Sequence, residues 1–331
     1  MFILSSGEYL PARVVDNEYF AQKLGKPQEW FIERTGILRR RRAALEENVH
    51  TLAFRAVAAL MAGGASLSGV DLIIAASYTP LDTIGTMAHA IQREFVLKGA
   101  RAIYLSTACS SFMDALEAAS LYLAAGKARQ ALIVAAEHNS AYSRDEDPQS
   151  GHLWGDGAAA VLLGTEDPGG GLEVVEVETC GLGDLGCGPE AIALRHPAGI
   201  RMLNGREVFA QACEHMAAAV RGLLQRNALS IADVNLLVPH QANGRIVTHL
   251  RKDLGIATER VAVTIDELGN TGCASVPITL HRFAGEVLPG EHIVLVSFGG
   301  GYSVAVALLR RSAARAGAAP RHDVSMSRYP E

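Results

Sequence analysis

Short apolar runs alternate with longer amphipathic or alanine-rich segments along most of the chain. The runs at 70–77 and 130–137 are continuous and bounded by turn residues, which is typical of buried strands. The segments at 48–63 and 206–226 repeat apolar residues at helical spacing and predict helices. The other predicted strands are 102–105, 156–163, 172–179, 234–238, 261–264, 292–297 and 303–309, and the other predicted helices are 18–24 with Asn17 as N-cap, 87–96, 113–126, 245–254 and 275–287. This alternation predicts an α/β fold with layered sheets.

The same order of strands and helices occurs on both sides of the Asp-Pro-Gly-Gly-Gly stretch at 167–171. We therefore expect two comparable halves, at 1–168 and 169–310, although they share no clear residue-level similarity. The last segment, 311–331, is rich in alanine and arginine and has no core pattern. We expect it to be a flexible tail.

Composition narrows the class of protein. A hydrophobic fraction of 49% and a charged fraction of 20% are ordinary for a globular protein with a sizeable core. The net charge of -5 gives no broad basic surface for nucleic acid. The five cysteines are irregularly spaced and predict neither a disulfide framework nor a zinc site. With no secretory or membrane-spanning pattern, we expect a soluble cytoplasmic protein without a membrane partner.

Four consecutive arginines, 39–42, form the only marked basic cluster. The sequence leaves two interpretations open. The cluster is either a solvated turn or the mouth of a site for phosphate groups, which arginine binds through paired hydrogen bonds.

Cys109 lies in a Thr-Ala-Cys-Ser stretch between a predicted strand and a predicted helix. Backbone N–H groups and the positive end of a helix at such a turn favour a thiolate, so Cys109 is a candidate nucleophile. A small buried apolar residue is the alternative. His240 follows another predicted strand and Asn270 lies in a Gly-Asn-Thr turn, and each by itself is more often structural.

Together these stretches resemble a known family. Thr-Ala-Cys at 107–109, Pro-His-Gln-Ala-Asn at 239–243, Gly-Asn-Thr at 269–271 and Phe-Gly-Gly-Gly at 298–301 are similar, in order and surroundings, to β-ketoacyl-acyl carrier protein synthase III of the thiolase-like superfamily. Further similar stretches are Trp30 with 34–37, 155–158, 207–209 and 274–277. The resemblance extends from about Gly7 to Leu309.

The resemblance implies a five-layered αβαβα fold of two duplicated halves, a homodimer and a decarboxylative Claisen condensation. Cys109 would take an acyl group from a coenzyme A thioester, and malonyl-acyl carrier protein would be the second substrate. His240 and Asn270 would stabilise the enolate formed on loss of CO2, and the N–H groups of Cys109 and Gly300 would form an oxyanion hole. No metal or bound cofactor is implied.

The resemblance also suggests binding residues. Trp30 and Arg34 match positions that contact coenzyme A, Gly205 and Asn243 match the pantetheine tunnel, and Arg245 matches the patch that receives carrier protein. Ile84 lies in the segment that crosses the dimer to floor the partner's acyl pocket, where a smaller side chain would admit a longer or branched primer.

The match at the entrance is incomplete. An arginine expected at Leu38 is displaced to Arg39, one near Pro148 is absent, and the charge at Asp253 is reversed. These departures leave open whether the acyl donor is coenzyme A or carrier protein.

Three alternatives remain beside the condensing enzyme. A related acyltransferase would move the acyl group to an alcohol or amine without condensation, a thiolase would use Cys273 as a second cysteine, and a noncatalytic subunit would keep only the fold. Asn270 favours condensation, because simple transfer needs no enolate-stabilising amide. The sequence does not identify the primer, or decide between primary fatty-acid synthesis and a specialised lipid or polyketide pathway.

Overall fold

The computed structural model describes residues 1–167 and 169–313. The strands are β1 (Phe2–Tyr9), β2 (Arg13–Asp16), β3 (Arg39–Arg42), β4 (Leu72–Ala76), β5 (Arg101–Leu105), β6 (Gln130–Glu137), β7 (Gly157–Gly164), β8 (Leu172–Gly181), β9 (Ile192–Arg195), β10 (Gly199–Met202), β11 (Val234–Pro239), β12 (His292–Gly299) and β13 (Ser303–Arg311). The helices are α1 (Asn17–Leu24), α2 (Gln28–Thr35), α3 (Val49–Ala62), α4 (Met87–Glu94), α5 (Ser111–Ala124), α6 (Gly205–Arg226), α7 (Gly244–Leu254), α8 (Ile265–Leu268) and α9 (Ser275–Phe283).

Nine strands form one mixed sheet in which the same topology occurs twice. The first half has the order β5-β4-β6-β7-β1 and the second half the order β11-β12-β13-β8. A single parallel bridge from Leu237 to Val261 takes the place of the missing fifth strand beside β11. The two halves join where β1 pairs with β8, at Phe2–Glu173 and Ile3–Leu172. The predicted duplication is therefore confirmed.

The structure has five layers, in which helices and half-sheets alternate. One apolar cluster surrounds the central helices, and two more lie between each half of the sheet and its outer helices. Helices α5 and α9 lie between the two halves of the sheet and pack against both. Alternate residues of the same strands point outward, so that α3 and α4 cover the first half and α6 and α7 cover the second. The strands are buried on both faces, which is why they are continuous apolar runs in the sequence.

Most predicted elements are present with ends shifted by a few residues, and the exceptions have local causes. The cap of α1 is Asp16 and not Asn17, whose side chain instead donates to the Ile37 carbonyl. Residues 261–264 make one bridge and no strand. β13 continues to Arg311, one residue into the predicted tail. Ser312 and Ala313 follow β13 outside any helix or strand, and residues 314–331 of the predicted tail lie outside the described residues.

Two of the four clustered arginines, Arg40 and Arg42, lie neither in a solvated turn nor in a phosphate site. The cluster forms β3, where Arg40 is fully buried with its guanidinium 4.5 Å from the centre of the Phe20 ring. Arg40 also donates to Asn17, and burial lowers its pKa to about 9. Arg42 forms a paired hydrogen bond with Asp145. Both interpretations are therefore wrong for these two arginines, which hold the first fifth of the chain to the 145–152 region.

Among the described residues, no helix combines the length and apolar character needed to cross a membrane. The same residues contain no cluster of three or more histidine, cysteine or acidic side chains arranged to hold a metal ion.

Candidate functional site

One cavity of about 790 Å³ contains the three predicted catalytic residues. It extends from the exposed side chains of Arg34 and Arg245 to Cys109, His240 and Asn270, which are 8%, 2% and 4% exposed. Each of these three residues follows a strand or lies in a tight turn at the same edge of the sheet, where open α/β sheets collect their functional groups.

The turn that carries Cys109 is strained and tightly held. Ala108, just before it, has a φ of 54°, an unfavourable conformation for a residue with a Cβ. The hydroxyl of Ser110 donates to the Thr107 carbonyl, and that of Ser111 donates to the Ala108 carbonyl. These contacts fix the sulfur between the end of β5 and the start of α5.

Burial raises the pKa of the Cys109 thiol to about 12, and the nearby Glu137 carboxylate adds to the rise. Hydrogen bonds from the backbone N–H groups of Gly300 and Cys109 oppose it. Burial therefore opposes the thiolate that the helix end is expected to favour. The same two N–H groups are candidates for the oxyanion hole.

Alkylation of Cys109 by iodoacetamide should therefore have no plateau near neutral pH. Because the thiolate is the reactive form and the pKa lies well above neutrality, the rate should rise about tenfold per pH unit from about pH 6 to 9. Peptide mapping separates Cys109 from the exposed Cys180 and Cys187. An alkylation rate that levels off near pH 7 would contradict the raised pKa of Cys109.

His240 is positioned as a neutral hydrogen-bond donor. Burial lowers its pKa to about 4, and its Nδ1 lies 2.6 Å from Ser275 Oγ. The Ser275 oxygen accepts a hydrogen bond from the Gln241 N–H. The Ser275 hydroxyl then donates its own proton to His240 Nδ1. We therefore assign the proton of neutral His240 to Nε2, which can donate into the cavity.

Replacing Ser275 with alanine should lower malonyl decarboxylation about tenfold, because the preferred tautomer of His240 loses its partner. Loading of Cys109 should change much less, and the two rates are measured as CO2 release and as acyl adduct. Ser297→Ala is a matched control. Ser297 is buried in β12, the strand that pairs with β11 just before His240, and its hydroxyl has no hydrogen-bond partner among the described residues. Equal losses in decarboxylation for both variants would remove the assigned role of Ser275.

Asn270 presents its amide nitrogen to the cavity because its other groups are occupied. Its side-chain oxygen accepts from the Gly272 N–H at 2.9 Å, which leaves Nδ2 as the free donor. Its backbone bonds to Leu153 and Gly155. A Cβ at Gly155 would collide with the Leu268 carbonyl, so only glycine allows the two loops to approach this closely.

Five predicted binding residues line the same cavity: Trp30, Arg34, Gly205, Asn243 and Arg245. The guanidinium of Arg34 lies 4.4 Å from the centre of the Trp30 ring. Asn243 caps α7 and donates to the Arg34 carbonyl, so its amide also supports the entrance.

Ile84 is 89% exposed on the loop before α4 and lies outside the described residues that line the cavity of its own chain. Its assignment to a partner's acyl pocket stays a prediction.

Sequence reasoning missed several residues of the site. Tyr78 and Arg206 line the cavity, and Ser275 orients His240. Ser275 lies in a stretch already noted for its resemblance, and Arg206 is the second residue of α6, next to Gly205. Nothing in the local sequence indicates that Tyr78 lies beside Cys109.

Comparison with known proteins places the chain in a family. Residues 104–181 match the model of 3-oxoacyl-[acyl-carrier-protein] synthase III, and residues 224–311 match the model of its C-terminal region. The chain is 37% identical to a β-ketoacyl-acyl carrier protein synthase III from Acidiphilium cryptum, over 92% of this chain and 97% of that one.

Solved structures agree. A β-ketoacyl-acyl carrier protein synthase III from Thermus thermophilus is 36% identical with a TM-score of 0.88, over 95% of this chain and 100% of that one. The priming β-ketosynthase of the R1128 polyketide pathway is 28% identical with a TM-score of 0.85, over 95% of this chain and 97% of that one. The chain belongs to the 3-oxoacyl-acyl carrier protein synthase III family.

Proposed function

We propose that Cys109, His240 and Asn270 perform a decarboxylative condensation of an acyl group with malonyl-acyl carrier protein. As a member of its family, the chain is an acyltransferase of the condensing type, with the thiolase fold. The observation that carries the assignment of residues is the cavity itself. It brings one thiol and two neutral N–H donors together in a site shielded from water.

The first step loads the cysteine. The sulfur of Cys109 bonds to the carbonyl carbon of the acyl thioester, and the bond from that carbon to the donor sulfur breaks. The thiol proton of Cys109 leaves with the donor as its free thiol. Exchange between two thioesters is nearly balanced, so the cysteine stores the acyl group without a large loss of free energy.

The second step forms the carbon–carbon bond. The malonyl carboxylate leaves as CO2, and its bonding electrons pass to the thioester as an enolate whose oxygen accepts from His240 Nε2 and Asn270 Nδ2. The enolate carbon attacks the acyl carbon on Cys109, while the N–H groups of Cys109 and Gly300 hold the oxyanion. Collapse releases a 3-oxoacyl-acyl carrier protein, and the cysteine sulfur takes one proton from water.

The entrance suits anionic thioester carriers. Arg34, Arg206 and Arg245 are exposed around the cavity, where phosphate groups of coenzyme A and acidic groups of carrier protein would meet positive charge. The ring of Trp30 could stack on the adenine base of coenzyme A. Gly205 and Asn243 border the route of the pantetheine arm. Acyl-CoA is the proposed donor, and no resident cofactor is part of the mechanism.

A homodimer in the cytoplasm completes the proposal. The loop from 81 to 86 exposes the apolar side chains of Leu81 and Ile84, at 57% and 89%. A second copy that covers this loop would bring Ile84 to the partner's acyl pocket.

Incubation of the full chain with acetyl-CoA and malonyl-acyl carrier protein tests the reaction. The proposal expects equal amounts of CO2 and 3-oxobutyryl-acyl carrier protein. Transfer of the acetyl group to an alcohol or amine without release of CO2 would instead favour the related acyltransferase. Absence of any acyl adduct on the enzyme would overturn both.

A further inference from the structure

We propose that Tyr78 sets the size of the acyl group on Cys109 and restricts it to short chains such as acetyl and propionyl. This inference rests on the proposed function, since it concerns the group that the cysteine carries. The residue that limits the acyl group, Tyr78, belongs to the same chain as Cys109. Ile84, by comparison, would reach the acyl pocket of the other subunit.

The acyl group has little freedom in where it can lie. The arm of the malonyl carrier must reach Cys109 along the route from Arg34 and Arg245, so the bound acyl chain has to leave that route free. The apolar compartment beside the catalytic residues is the available place. Its wall consists of side chains that both line the cavity and pack in one apolar cluster: Tyr78, Leu153, Trp154, Ile192, Leu194, Ile200 and Met202.

Tyr78 occupies this compartment next to the sulfur. Tyr78 and Cys109 line the same cavity, and the Tyr78 side chain is among the groups that lower the pKa of Cys109. The Tyr78 hydroxyl lies where a Cβ on residue 272 would be placed, and Gly272 has a φ of 58°. Glycine at 272 thus makes the space that the tyrosine fills, and the two residues form a matched pair beside Asn270.

The tyrosine is held at both ends. The side-chain nitrogen of Asn139 donates to the carbonyls of Gly155 and Asn270. Its side-chain oxygen accepts a hydrogen bond from the Tyr78 hydroxyl at 2.8 Å. At the other end, the buried Glu137 carboxylate accepts from the N–H of Tyr78 at 3.2 Å.

Glu137 also fixes the residues on either side of the tyrosine. The carboxylate accepts from the hydroxyls of Ser77 and Thr79, at 3.1 and 2.6 Å, and from the Thr79 N–H at 3.2 Å. Moving Tyr78 aside for a longer chain would break hydrogen bonds in a buried site, which is unfavourable. The ring is therefore a rigid stop and not a movable gate.

A panel of acetyl-, butyryl-, hexanoyl- and octanoyl-CoA tests the proposal, with the rate of acyl adduct on Cys109 read by intact mass. Wild type should load acetyl about a hundredfold faster than octanoyl, because several methylenes are excluded. Tyr78→Ala should speed octanoyl loading at least about tenfold. Tyr78→Phe keeps the ring and should keep the preference for short chains.

Tyr78→Thr provides a second variant with an enlarged compartment if the alanine variant fails to fold, and circular dichroism with thermal unfolding verifies that each variant is folded. Wild type that loads octanoyl as fast as acetyl would overturn the proposal. So would an unchanged preference in folded Tyr78→Ala or Tyr78→Thr. If wild type forms no adduct with any acyl-CoA, the proposed function itself has failed.

Discussion

The Cys109→Ala variant should form no acyl adduct with acetyl-CoA, whereas wild type should gain the mass of one acetyl group. The sulfur of Cys109 carries the acyl group as a thioester between the two steps. No other cysteine lines the cavity among the described residues. Condensation should fall by about 10⁴-fold or more, the loss typical of removing a nucleophile. Intact-mass spectrometry and the rate of CO2-coupled product formation give the two readouts.

Cys273→Ala is the matched control for this variant. Cys273 is fully buried and donates to the Ala76 carbonyl, and it lies outside the described residues that line the cavity. The control should keep the adduct, and loss of condensation there would support the thiolase alternative. An adduct that survives in Cys109→Ala would remove Cys109 as the acyl carrier.

Replacing His240 or Asn270 with alanine should separate the two steps of the reaction. Each residue donates one N–H to the enolate, so malonyl decarboxylation should fall about 10²- to 10³-fold for each variant, or roughly 3–4 kcal/mol of transition-state stabilisation. Acyl loading should persist, because the oxyanion hole for that step comes from backbone N–H groups. The readouts are CO2 release from malonyl-acyl carrier protein and the mass of the acyl-enzyme.

Asn270→Asp sharpens the second test. It keeps the size of the side chain but places a carboxylate where the enolate oxygen develops charge, so decarboxylation should fall at least as far as in Asn270→Ala. If His240→Ala or Asn270→Ala decarboxylates at the wild-type rate, the assigned role of that residue is wrong. A loss of loading as large as the loss of decarboxylation would show that the residue supports the cavity as a whole.

The sequence could predict the layered fold because the strands are buried on both faces. The runs at 130–137 and 72–76 have no polar face, and their boundaries carry turn residues. Cys109 and His240 follow such runs and Asn270 lies in a Gly-Asn-Thr turn, and all three belong to stretches that resemble one family. One cavity brings them together.

The sequence could not predict features that depend on contacts between distant residues. Arg40 is a surface residue by type, but it is buried over Phe20 and bonded to Asn17 in the fold. The pKa of Cys109 depends on burial and on Glu137, which no local pattern shows. The same is true of Tyr78, whose contacts with Gly272 and Asn139 span most of the chain.

A single-turnover chase tests the central claim most directly. Enzyme is loaded with isotopically labelled acetyl-CoA, freed of excess donor and mixed with malonyl-acyl carrier protein. The account predicts that the label leaves Cys109 and appears in 3-oxobutyryl-acyl carrier protein, with one CO2 released for each acetyl group lost. Product that forms while the label stays on Cys109, or label that leaves only as free acetate, would contradict it.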